Sequence, residues 1–171
     1  MIRSAVSRDA RAIGDLKVRA WREAYAGFMS RDFLRGLDPV RDAEEWAEYL
    51  AELPDEHRLW IAQEGEVVVG FCRTGPADQD QDPDLGSRAA EVYGLYIDPD
   101  RIGTGLGRQL FGHAVGDLER RGYGPLCVYV YGPNAPAIRF YERAGFRLDD
   151  TTRADEVGGI KLLEARLVKS T

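Results

Sequence analysis

Hydrophobic positions recur along this chain with two periods. Over residues 9–25, Ile13, Leu16 and Ala20 return at three- and four-residue steps, the spacing of an amphipathic helix. Ser7 is the expected N-cap, with Asp9 favourable behind it. Residues 32–37 keep a loose helical character, Pro39 is expected to break it, and residues 42–50 resume it until Pro54. Strand patterns occupy residues 2–6, 58–63 and 67–73, the last two joined as a hairpin by Glu64-Gly65-Glu66. Residues 90–97 form an apolar strand stopped by Asp98-Pro99-Asp100. A turn with glycine at 103, 105 and 107 then opens the longest helical pattern, with Leu106, Leu110, Ala114 and Leu118 on one face. Residues 126–131 return to strand, Asn134 heads a short helix to residue 144, and Gly145 stands where a helix-ending glycine belongs. Two last strands, 147–152 and 160–168, flank Gly158-Gly159. The expected fold class is mixed α/β, α+β-like, with about seven strands, about four helices and one domain over residues 1–171.

Composition narrows the function classes. With 44% hydrophobic and 30% charged residues, 171 residues suffice for a packed core. A net charge of −6 argues against a nucleic-acid partner. No apolar run approaches the ~18 residues of a membrane span. Met1-Ile2-Arg3-Ser4 lacks the apolar segment of a signal peptide, so the expected location is the cytoplasm. Cys72 and Cys127 sit in strand-like runs and read as buried thiols. His57 and His113 lack a second ligand at metal-like spacing and read as surface or boundary residues; no metal is expected. Asp78, Asp80, Asp82 and Asp84 alternate as in a calcium loop. Pro83 stands where such a loop needs glycine, and no closing Glu follows, so a solvated loop is expected.

The glycine-rich turn carries the candidate chemistry. Alternating glycines allow positive φ and close approach of a ligand to the backbone. A helix start adds unpaired N–H groups and the positive end of a dipole, which together suit a phosphate or pyrophosphate. Arg108 adds a cation, and Arg101 is a second candidate. A bare strand-to-helix connection is the alternative. A Walker A loop is excluded because Arg108 and Gln109 follow Gly107. A dinucleotide fingerprint would need glycine at position 108 and would follow the first strand.

Three segments in register, residues 91–99 (EVYGLYIDP), 101–107 (RIGTGLG) and 133–146 (PNAPAIRFYERAGF), resemble the GCN5-related N-acetyltransferases, the GNAT superfamily. The resemblance implies a mixed, mostly antiparallel sheet. It also implies acetyl-CoA as cosubstrate, no metal, and direct transfer to an amine in a ternary complex. The backbone of Ile102, Gly103, Thr104, Gly105, Leu106 and Gly107, with Arg108, would hold the pyrophosphate. Leu95, Tyr96 and Ile97 would splay from the neighbouring strand towards the acetyl group and pantetheine arm. Asn134 would bond that arm and cap its helix. Ile102 departs from the family's usual Gln or Arg, a loss for which Arg101 could substitute.

Amide formation needs a neutral amine, whereas a lysine-like amine with a pKa of about 10.4 is mostly protonated at pH 7. Glu91 stands where the resemblance places a base acting directly or through water. Tyr141, seven residues after Asn134, stands where it places the acid that protonates the leaving thiolate. Trp21, Tyr25 and Phe28 are either a wall of the acceptor pocket or core. Two other functions stay open: a non-catalytic CoA-binding or sensor module, and transfer of a longer acyl group. The acceptor is an amine of a small molecule, peptide or protein, and C-terminal edge strands could pair two copies into a homodimer.

Overall fold

The computed structural model describes residues 1–170. Seven strands form one sheet: β1 (Ile2–Ser4), β2 (Arg58–Glu64), β3 (Val67–Pro76), β4 (Ala90–Ile97), β5 (Leu126–Tyr131), β6 (Arg147–Val157) and β7 (Ile160–Lys169). Their order is β1-β2-β3-β4-β5-β7-β6. The helices are α1 (Ala10–Ala24), α2 (Arg31–Arg35), α3 (Pro39–Ala51), α4 (Leu106–Arg120) and α5 (Ala135–Arg143). The described residues thus form five α-helices, the short α2 standing apart from α3. The chain condenses into two compact units: Met1–Arg73 with Gly94–Gly116, and Thr74–Tyr93 with Asp117 onward.

The first unit is built on Ile13, Leu16, Leu59, Ile61 and Phe71, with Trp46, Tyr49 and Tyr96 packed around them. Burial of such side chains is worth roughly 1.5–3 kcal/mol each. Gly14 lets α1 and α3 approach closely: a Cβ there would stand 2.7 Å from the Ala43 nitrogen. Ser7 is not the N-cap of α1. It opens a short 3-10 turn, Ser7–Asp9, and the buried Asp9 carboxylate accepts the Val6 N–H at 2.7 Å and two Arg3 bonds at 2.9 Å. Pro39 does not break a helix but begins α3, capped by Asp38, whose side chain accepts the Val40 N–H. A proline needs no N–H at that position, and its fixed φ suits a helix start. α3 then ends at Ala51, ahead of Pro54.

In the second unit β4 and β5 run parallel, with Glu91 beside Cys127, and β5 and β7 run antiparallel, with Tyr129 beside Arg166 and Tyr131 beside Glu164. β6 pairs with β7 and places Arg153 beside Glu164; an irregularity between Leu148 and Thr152 interrupts the register. β6 runs to Val157, well past the expected end at residue 152. α5 ends as its sequence predicts: the Phe146 N–H reaches the Tyr141 carbonyl at 3.0 Å, and Gly145 turns at φ 93°. Among the described residues no helix is long and apolar enough to cross a membrane.

Candidate active site

The glycine-rich turn is set up by Asp98, where β4 ends. Its carboxylate is buried, accepts the Asp100 N–H at 2.9 Å and is bound by Arg19 at 2.8 Å. Gly103 and Gly105 take φ of 84° and 88°, and a Cβ on either would meet open space. Backbone direction, not crowding, requires glycine there. The first bond of α4 runs from the Gln109 N–H to the Gly105 carbonyl at 3.1 Å. The N–H groups of Leu106, Gly107 and Arg108 therefore have no acceptor within the helix. Together with the exposed turn before them they suit an anionic phosphate. Arg108 is exposed and takes up no ion pair among the described residues. Arg101, the candidate substitute at position 102, has its guanidinium bound to Glu64 at 3.0 Å and 3.9 Å from Asp98. Ile102 is 67% exposed and extended, so the loop offers backbone rather than a side chain at that position.

Leu95, Tyr96 and Ile97 are half-buried, with the Tyr96 ring 5.0 Å from that of Phe71. The parallel register of β4 with β5 covers Ala90, Glu91 and Val92, and these three residues lie beyond it. Tyr25 is buried, while Trp21 and Phe28 are half-buried. Their rings form a chain, Trp21 edge-on to Tyr25 at 5.0 Å and Tyr25 tilted against Phe28 at 5.2 Å.

Glu91 lies in the second unit, 4% exposed, at the heart of a polar cluster. Arg153 from β6 approaches its carboxylate at 3.5 Å. The same guanidinium bonds Glu164 of β7 and lies 3.8 Å from the Tyr129 ring centroid. Burial pushes the Glu91 carboxyl up to about 7 against the pull of Arg153, and the charges of Asp82 and Glu164 add to the rise. A carboxyl poised near neutrality can accept a proton from an amine and release it again at physiological pH.

The acidic loop is not wholly solvated. Asp78, Asp80 and Asp84 are exposed, but Asp82 is fully buried. Its Oδ1 accepts from Arg166 at 2.8 Å and from the Tyr129 hydroxyl. Arg166, 2% exposed, also binds Asp84 and Asp149, each at 2.6 Å. A buried cation needs such partners, and they fold the loop inward over the sheet face. Asp82, Glu91 and Cys127 bring one donor atom each to within 4.8 Å of the others. They do not suit a metal ion as they stand. Two guanidiniums already balance the carboxylates, and burial, then Glu91 and Asp82, push the Cys127 thiol far above its ordinary range, whereas a metal needs thiolate.

Asn134 accepts the Ala137 N–H at 3.4 Å and caps α5. Tyr141 is buried in that helix, its ring 5.3 Å from Phe140 and 6.4 Å from Phe146. The structure thus gathers Glu91 with Asp82 and Tyr129 and with Arg153, Glu164 and Arg166, and the last three are partners that sequence reasoning did not single out. The one available signal was arginine and glutamate recurring within the apolar pattern of the last strand.

The chain thus has a glycine-rich turn after β4 and a buried glutamate at that strand's start. The profile of the Acetyltransferase (GNAT) family matches residues 18–146, and the chain belongs to that family. Among curated relatives, a mycothiol acetyltransferase of Propionibacterium freudenreichii is 38% identical over 112 residues, which are 65% of this chain and 32% of that protein. One from Rhodococcus erythropolis is 44% identical over 82 residues, 47% of this chain and 26% of its own. The chain thus spans about a third or less of these relatives' length. A PaiA N-acetyltransferase of Thermoplasma acidophilum, crystallised in complex with coenzyme A, has the same fold: TM-score 0.76, 19% identity, 100% of this chain and 98% of the other. So has a ribosomal-protein-alanine N-acetyltransferase of Brucella melitensis, with TM-score 0.75, 21% identity, and 100% and 99% of the two chains.

Proposed function

We propose that residues 1–171 act as one N-acetyltransferase unit that moves the acetyl group of acetyl-CoA to an amine, with Glu91 accepting the amine's proton. The observation that carries this reading is a glutamate 4% exposed, with its carboxyl held near 7, at the start of β4. Family membership and the coenzyme A held by a structural neighbour support it. When bound, acetyl-CoA supplies an activated thioester. The backbone from Ile102 to Gly107, the open N–H groups of α4 and Arg108 hold its pyrophosphate. Asn134 bonds the pantetheine arm, and the backbone of Leu95, Tyr96 and Ile97 orients the acetyl carbonyl. Glu91 takes the proton directly or through water, and the Tyr141 hydroxyl donates one to the departing thiolate.

The acceptor is an amine of a small molecule or of a peptide or protein. Mycothiol acetyltransferases and ribosomal-protein-alanine N-acetyltransferases among the relatives span that range. The reaction is placed in the cytoplasm, and β6, at the end of the sheet, is where a second copy would pair.

The test is an amine screen with acetyl-CoA, followed by Glu91→Gln and Tyr141→Phe on the best acceptor. Glu91→Gln should lower kcat by about 10²–10⁴ while calorimetry finds acetyl-CoA affinity unchanged. The wild-type rate should fall along an acid limb below about pH 7, where Glu91 is protonated. Unchanged turnover in Glu91→Gln overturns the base assignment. Absence of acetyl-CoA binding to the wild type overturns the enzyme reading.

A further inference from the structure

Glu91 does not set its own proton affinity. The charged and titratable groups around it are Cys127 and Tyr129 on β5, Glu164 and Arg166 on β7, Arg153 on β6 and Asp82 in the loop between β3 and β4. Arg153 reaches the Glu91 carboxylate at 3.5 Å and favours its charged form. Glu164 shares that same guanidinium and dilutes its pull. Asp82 opposes it from the other side.

Asp82 is unusual in how it is held. Oδ1 takes both of its hydrogen bonds, from Arg166 and Tyr129, while Oδ2 is buried with no partner. A buried, unpaired carboxylate oxygen costs free energy in isolation. Arg166 holds it there nonetheless, itself clamped by Asp149 of β6, so the loop cannot carry Asp82 out to solvent without breaking the two ion pairs that Asp82 and Asp84 make with Arg166. A second negative charge at this range disfavours ionisation of its neighbour.

We propose that Asp82 is a positioning residue that acts through Glu91. Its carboxylate, pinned by Arg166 within 4.8 Å of the Glu91 and Cys127 donors, keeps a proton on Glu91 that Arg153 would otherwise drive off. On top of burial, which is the larger effect, the balance of these two neighbours, one on the loop and one on β6, tunes the pH at which the base becomes available. The proposal rests on the assignment of Glu91 as base.

The experiment follows the Glu91 carboxyl itself. Carbon-13 NMR of glutamate-labelled protein is titrated with pH, and Glu91→Gln identifies the resonance; the pH profile of turnover is taken alongside. Asp82→Asn keeps the shape and removes the charge, so it should move both the Glu91 titration and the acid limb down by about one pH unit. Turnover at pH 6 should then rise about fivefold, as more Glu91 is ionised. Arg153→Gln, which leaves the Asp82–Arg166 pair intact, should move both the opposite way by about as much. Asp84→Asn loosens the same clamp without touching Glu91 and should leave its titration in place, which a merely structural role would not predict. If Asp82→Asn fails to fold, the Arg153→Gln and Asp84→Asn pair carries the test. A Glu91 titration that ignores both Asp82 and Arg153 overturns the proposal and leaves the base assignment standing. A titration that moves while the rate profile does not overturns the base assignment, and this proposal with it.

Discussion

Arg166 is 2% exposed and surrounded by Asp82, Asp84 and Asp149. Such a pair adds little net stability over an apolar replacement, but breaking it on one side strands a buried charge. Arg166→Ala should therefore cost about 3–5 kcal/mol, read as a lower midpoint in urea unfolding. At this scale the sequence was legible for the residues whose role follows from their place in a motif. Glu91 and Asn134 could be marked because each stands at a fixed step from the glycine turn or the last helix. Arg153 could not, because the strand reading stopped at residue 152, one position short of it. Asp82 was hidden for a related reason. It looks like its exposed neighbours Asp78, Asp80 and Asp84, and only a partner 84 positions away turns it inward.

Elements were easiest to read where local chemistry alone ends them. Asp98-Pro99 stops β4, and Gly145 stops α5 through the two bonds that close its last turn. At φ 93° Gly145 has a conformation that side chains resist, so Gly145→Ala should destabilise by about 1–2 kcal/mol and lower the thermal midpoint by several degrees. Pro39 misled because proline carries opposite meanings inside a helix and at its first position, and only the cap by Asp38 distinguishes them. β6 was under-read for a tertiary reason. Beyond Leu148 its register shifts, Asp150 adopts φ 65°, and the strand resumes by pairing with β7. Pairing of that kind leaves little trace in one strand's own pattern.

For the whole molecule, the same cluster sets opposite pH demands on folding and on chemistry. Glu91 keeps its proton up to about pH 7 when folded, against an ordinary value of 4.5, so between those values the native state binds the extra proton. Stability must then fall as pH rises through that window, by about 3 kcal/mol in total. Burial works against the ionised forms of Asp9, Asp98 and Asp149, but guanidiniums and backbone N–H groups outweigh it and hold all three below the usual range. Their contribution is present above the unfolded value of 3.8 and is lost as pH falls through their lower folded values. Urea unfolding should thus find greatest stability near pH 5, while turnover, on the proposed role of Glu91 as base, should be highest at pH 7 or above. Glu91→Gln should lose most of the drop between pH 5 and pH 8. Family and the order of elements along the chain were legible at this scale because three motifs occur in sequence; the strand order in the sheet and the network that ties Glu91's charge to stability were not, because that network joins five separate segments. The two native thiols are sealed as well, burial pushing Cys72 up to about 12 and Cys127 further still. A folded sample should therefore leave a maleimide untouched at neutral pH and react at two positions once unfolded. That silence makes the chain a ready optical sensor. A single cysteine introduced at the exposed Ile102 would be its sole labelling handle, and a fluorophore there should change its light when coenzyme A is added if the glycine turn holds the pyrophosphate as proposed.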